Sequence, residues 1–256
     1  VRLRFGRAAS VRASSPPSRL ARFAQRGYDA IVTDVTCWTL IESAARGDGA
    51  AREAFARRYL PVVRAYLTAR WSQRLADAEL EDAVQDVFLE CLKHDGVLEY
   101  QRSRRGRGFR AYLFGVVRNI ALRAETAHAR KLDTPRTQAF DAEAVSANAD
   151  TSSRAFDRAW AESLMRDAAA KQTERARESG EPALKRVELL RLVFQEERTI
   201  ADIAREWSVP AETLHRQYAR ARREFESALR EVVAFHAPES AAAVDRECED
   251  LMSLLA

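Results

Sequence analysis

Apolar positions recur with helical spacing along most of this chain and nowhere alternate as a half-buried strand would. Trp38, Ile41 and Ala45 mark a first helix from near Thr36, ended by the Gly47-Asp48-Gly49 break. A second helix is predicted over 50–71, with Phe55, Tyr59, Val62, Val63, Tyr66 and Leu67 on one stripe. The third, over 79–94, places Leu80, Ala83, Val84, Val87, Phe88, Cys91 and Leu92 at i, i+3, i+4, i+7, i+8, i+11 and i+12, a full apolar face. After a loop at 99–108, Phe109, Tyr112, Leu113, Val116, Val117, Ile120 and Ala121 repeat that spacing in a fourth helix.

Beyond Lys131 the period is lost. Residues 132–155 are rich in Thr, Ser, Asp and Ala and read as a flexible linker, longer than most loops inside a compact domain. Phe156, Trp160, Leu164 and Ala168 restore the helical period, 178–182 reads as a turn, and Leu184, Val187, Leu190, Val193 and Phe194 form the next stripe. The expected fold is all-α, with two small helical domains over 36–131 and 156–236 joined by the linker. Residues 1–35 read as a disordered basic extension and 237–256 as an acidic tail.

Composition agrees with helix: 9 Gly and 7 Pro in 256 residues leave little turn chemistry for a barrel, a sandwich or a glycine-rich nucleotide loop. The net charge of +4 misleads. Residues 1–30 hold seven arginines and one acid, +6, so the remainder carries −2. This tail has the composition of a disordered segment or a transit peptide. With Met only at 165 and 252, a start at a valine-type codon, at Val1, Val32 or Val35, is a further reading. Cys37, Cys91 and Cys248 are too far apart in sequence for a zinc motif and fit a reducing cytoplasm. No metal, cofactor or catalytic residue is expected, because His94, His128, His215 and His236 lack ligand spacing and no phosphate-cradling loop exists. No apolar run is long enough for membrane insertion.

Near the C-terminus, TIADIAREWSVPAETLHRQYARARREF (199–225) reads as a short helix, a tight turn and a longer helix, the helix-turn-helix plan. Ile200, Ile203, Ala204 and Trp207 face inward on the first helix; Leu214, Tyr218 and Phe225 do so on the second. Ala204 is small enough for a close helix crossing, and Pro210 suits a first helical turn. Ser208 occupies the turn position that usually prefers glycine. The second helix turns Glu212, Thr213, His215, Arg216, Gln217, Arg220 and Arg223 outward, a set suited to base edges and phosphates. A solvated helical hairpin is the plainer reading of the same face.

Charge in the first module is segregated. Residues 77–99 hold eight acids and one base, and residues 102–131 hold nine bases and one acid, giving −7 beside +8. Two partner surfaces of opposite sign are implied. Tyr100, Phe109, Tyr112 and Phe114 are interleaved with the bases, as in platforms on which unstacked bases sit, although the spacing of Phe109 and Tyr112 also suits a core. On the acidic helix Gln85, Asp86 and the apolar Leu89 fall opposite the buried stripe, as a protein-binding face would.

Taken in order, DAVQDVFLECL (82–92), FRAYLFGVVRNIALR (109–123) and the helix-turn-helix ending RARRE resemble bacterial RNA polymerase sigma factors of the sigma-70 family, nearest the extracytoplasmic-function (ECF) subfamily. The resemblance implies a region 2 bundle and a region 4 helix-turn-helix, with core RNA polymerase and promoter DNA as partners and no enzymatic activity. It implies docking on the polymerase clamp through Asp82, Gln85, Asp86, Leu89 and Glu90. It implies opening and reading of the −10 element through Arg102, Arg104, Arg105, Arg107, Phe109, Arg110, Tyr112, Phe114, Arg118 and Asn119, with Arg118-Asn119 matching the family's Arg-Asn pair. It implies duplex reading of the −35 element through Thr213, His215, Arg216, Gln217 and Arg220. Family members often carry Lys and Arg where this chain has His215 and Gln217, which bears on the promoter sequence. An anti-sigma partner stays open. The alternative from another class is a stand-alone helix-turn-helix regulator that binds duplex DNA without polymerase. The tail, with five acids against one base, reads as a frayed end or as a lid on the helix-turn-helix.

Overall fold

The computed structural model describes residues 36–71, 77–93, 108–131, 142–236 and 241–255. The basic extension at 1–35 and Arg102, Arg104, Arg105 and Arg107 lie outside the described residues. Every regular element among the described residues is a helix: α1 (Cys37–Ala45), α2 (Gly49–Trp71), α3 (Asp77–Cys91), α4 (Phe109–Lys131), α5 (Ala142–Ser179), α6 (Glu181–Phe194), α7 (Ile200–Trp207), α8 (Ala211–His236) and α9 (Ala241–Leu255). None is long and apolar enough to cross a membrane. Two compact units form: Val1–Ser163 with Ala234–Ala256, and Leu164–Val233.

In the first unit, local chemistry sets the helix starts. The Thr36 and Thr39 side chains cap one another's backbone N–H at the head of α1. Asp48 Oδ1 accepts from the N–H groups of Ala50 and Ala51 at 2.9 and 3.2 Å and so starts α2. Those hydrogen bonds, that of Ala51 foremost, hold the Asp48 carboxyl below its ordinary range. The core is aromatic. Phe109 at the start of α4 is fully buried, edge-on to Trp38 at 5.3 Å and 4.9 Å from the Tyr59 ring. Trp160 of α5 stacks on Tyr59 at 6.0 Å, and the Tyr59 hydroxyl meets His236 Nε2 at 2.9 Å. Burying each such ring contributes roughly 1.5–3 kcal/mol, and the edge and offset geometries add to that.

One ion pair is sealed inside this unit. Arg70 of α2 donates from Nε and Nη2 to Glu125 of α4 at 2.5 and 3.0 Å, and Trp71 Nε1 donates to the same carboxylate at 3.1 Å. The hydrogen bonds it donates to Glu125 hold the Arg70 guanidinium above its usual range despite burial. Burial pushes the Cys37 and Cys91 thiols upward, so neither is a reactive thiolate at neutral pH.

In the second unit, Leu189 and Leu192 of α6 pack with Ile203 and Ala204 of α7 and Leu214 of α8. Val193, Ile200, Trp207, Val209 and Tyr218 close the cluster's edge. Thr199 caps α7 by accepting from the Asp202 N–H at 3.1 Å. The helix ends on Ser208 in the left-handed region, φ 54° and ψ 41°, while the Val209 N–H returns to the Ala204 carbonyl at 3.1 Å. Pro210 stands one residue before the start of α8 and lends its carbonyl to the Thr213 N–H at 2.9 Å. Because a side chain in the left-handed region is strained, Ser208→Gly is expected to stabilise the chain by about 0.5–1 kcal/mol. Chemical denaturation checks this, and an unchanged or lower midpoint would contradict it.

The domain expectations differ from the structure in three places. Residues 142–155, expected as linker, lie within α5, whose sequence there is rich in Ala as well as Ser, Thr and Asp. Phe156 and Trp160, expected in the second domain, belong to the first unit, where Phe156 meets Phe114 at 5.2 Å. The acidic tail is neither a frayed end nor part of the unit that holds α7. Its α9 helix buries Val244 and Leu251 and groups with the first unit. Leu184, expected on the inward stripe of α6, is exposed, because the buried face runs through Ala183, Arg186, Leu189 and Leu190.

Candidate protein and nucleic-acid interfaces

The acidic helix α3 presents a defined outer face. Ala83, Val84, Val87 and Cys91 point into the first unit. Asp82, Gln85, Asp86 and Leu89, at i, i+3, i+4 and i+7, are therefore left on the outside, and all four are exposed. Leu89 stands 57% exposed, the most open large apolar side chain among the described residues. Glu90, assigned to the same face, is turned aside: it is half-buried and pairs with Lys93 at 2.7 Å and Arg123 of α4 at 3.8 Å. The structure thus assembles four of the five expected residues.

On α4 the expected residues separate into two groups. Arg118 and Asn119 are exposed. Phe109 and Tyr112 are not stacking platforms: Phe109 has no exposed surface and Tyr112 is buried against Trp38 at 5.6 Å. Phe114 is half-buried and edge-on to Tyr66 and Phe156, which accounts for an aromatic that lies off its own helix's stripe. Arg110 is also engaged. Its Nη2 donates to Asp157 of α5 at 2.7 Å, and its Nη1 lies 3.6 Å from Glu247 of α9. Burial raises the Glu247 carboxyl, and Arg110 offsets this only in part.

On α8, His215, Arg216 and Arg220 are exposed and Thr213 is half-buried. Among the described residues Arg216 reaches only Glu212 and Thr213, at 3.5 and 3.4 Å. Gln217 is turned partly inward: its side-chain oxygen is buried without a hydrogen-bond partner among the described residues, so that atom is not available to read a base edge. Sequence reasoning missed Arg186 and Glu224. Arg186 of α6 is buried in an inward-facing position and grips Glu224 of α8 with two hydrogen bonds of 3.0 and 2.8 Å. Burial raises the Glu224 carboxyl, but the hydrogen bonds from Arg186 and Arg220 outweigh it and hold the group below its ordinary range. That stabilisation is present at neutral pH and is lost as acid protonates Glu224. Among the described residues no cluster of His, Cys, Asp and Glu could hold a metal ion.

The acidic and basic helices fall inside one recognisable segment. Residues 55–131 match the family model for sigma-70 region 2. The chain carries a sigma-70 region 2 domain. No curated protein matches the chain. The matched segment contains the whole of α3 and α4, with the outward face of α3 and the Arg118-Asn119 pair, and leaves Leu164–Val233 outside it.

Proposed function

We propose that this chain is a bacterial sigma factor of the ECF type that works in the cytoplasm, joins core RNA polymerase and directs it to promoters. The outward face of α3 carries the reading. Within a sigma-70 region 2 segment, Asp82, Gln85 and Asp86 surround an exposed Leu89, the acid-and-apolar chemistry that a basic helical partner would cover. Arg118 and Asn119, with the arginines at 102–107, hold unstacked bases of the −10 element. His215, Arg216 and Arg220, with Thr213, hold the −35 element as duplex.

The mechanism is differential binding without bond chemistry by this chain. The polymerase supplies the catalytic centre. The sigma factor binds the open promoter more tightly than the closed one, and the equilibrium shifts by that difference. Run-off transcription with core RNA polymerase on a library of promoter fragments tests the reading. Transcripts are expected only when the chain is added, and Arg216→Ala is expected to lower their yield roughly tenfold, the worth of one good base contact. Duplex binding without polymerase, together with no transcript, would instead identify a stand-alone regulator.

A further inference from the structure

The exposed arginines of α8 are not equally free. Arg220 donates from Nε to Glu224 Oε1 at 3.0 Å, one helical turn further on. Glu224 is in turn immobilised. Arg186, whose side chain is only 8% exposed, donates to both Glu224 oxygens and to the Pro182 carbonyl at 3.0 Å. A bidentate arginine–carboxylate pair fixes the plane of the carboxylate, so the remaining acceptor direction on Oε1 is fixed as well, and with it the approach of Arg220. The two terminal nitrogens of Arg220 make no hydrogen bond among the described residues, and its side chain is 62% exposed. Arg216 has no comparable anchor among the described residues: it leans on the exposed Glu212 at 3.5 Å.

We infer that Glu224, braced by Arg186, is a positioning residue that presents Arg220 for a bidentate contact with a base edge of duplex DNA. The inference rests on the reading of α8 as a duplex-reading helix and adds the source of its specificity. A long arginine side chain gives up rotamer freedom when it binds. Holding Nε beforehand removes part of that cost while leaving the terminal pair free. The choice of a carboxylate has a second consequence. Glu224 is negative, so it weakens general attraction to phosphates while it improves one directed contact. A residue that serves only the fold would not produce that opposition.

Duplexes enriched from a randomised pool by the full chain bound to core RNA polymerase supply the probe. Affinities are then compared between an enriched duplex and unselected random duplex. Arg220→Ala is expected to lose roughly tenfold on the enriched duplex. Glu224→Ala should lose a similar factor there, with affinity for random duplex equal or higher. The double variant should bind the enriched duplex no worse than Arg220→Ala alone. Glu224→Gln keeps the side-chain volume and one oxygen, and should give a smaller loss of the same kind if Glu224→Ala unfolds. Arg220→Lys keeps the charge, loses the fork, and should be insensitive to Glu224. Equal weakening on both duplexes, or losses that multiply in the double variant, would overturn the positioning role. If Arg220→Ala binds the enriched duplex like the wild type, the duplex-reading assignment itself falls, and the inference with it.

Discussion

Asp86→Arg is expected to abolish capture of core RNA polymerase while leaving the protein folded. Asp86 lies in the middle of the outward face of α3, between Asp82 and Leu89, with the buried side of the helix carried by other residues. Changing one exposed side chain away from the core alters stability by only about 0.5 kcal/mol. Against a basic partner the same change replaces attraction with repulsion, a cost of several kcal/mol, or roughly a hundredfold or more in affinity. Pull-down of core polymerase with wild-type and variant chains measures this, with circular dichroism as the control for folding. A variant that is helical and captures polymerase normally would remove α3 from the interface.

The second large effect is on stability. Glu125→Ala is expected to destabilise the first unit by about 3–5 kcal/mol, because it leaves Arg70 charged and buried without its carboxylate, with only the Tyr66 hydroxyl at 3.4 Å to receive it among the described residues. For a chain of this size that corresponds to a fall in melting temperature of roughly 6–20 °C. The side chains of Arg70 and Glu125 are only 6% and 11% exposed, and the Trp71 indole N–H loses its acceptor as well. Replacing both charges with apolar residues, Arg70→Met with Glu125→Leu, should recover part of the loss, since the desolvation cost of the charges disappears with the pair while the Trp71 indole N–H still lacks its acceptor. A single variant that melts within a degree or two of wild type would show that the pair contributes no net stability.

The helices of the first module and the turn at Ser208 were legible because their signals are local. The apolar spacing of α3 predicts which side is buried, and its complement, Asp82, Gln85, Asp86 and Leu89, follows by subtraction. The left-handed Ser208 could be anticipated from the Trp207-Ser208-Val209-Pro210 stop. What could not be read has long range in sequence. Arg70 and Glu125 are 55 residues apart, Arg186 and Glu224 are 38 apart, and each looks like an ordinary surface charge until its partner is placed beside it. Phe156 and Trp160 fit a helical stripe either way, and periodicity says nothing about which unit a stripe serves. The aromatics of α4 show the same limit. A ring beside arginines suits a stacking platform or a core, and here Trp38, Tyr59 and Trp160 take up Phe109 from the far side.

On the proposed function, the engagement of Arg110 bears on how DNA binding would respond to salt. The salt dependence of nucleic-acid binding counts the cations that release condensed ions from phosphates. Arg110 already carries Asp157 on one side and Glu247 on the other. Before it meets a phosphate it must give up protein carboxylates, and cations taken up by the freed carboxylates offset part of the ion release from the phosphate. The run of bases from Arg102 to Lys131 therefore overstates the cations available to the backbone. On the proposed function, Asp157 on α5 and Glu247 on α9, both outside the region 2 match, would take part in setting the ionic strength range over which the chain holds DNA.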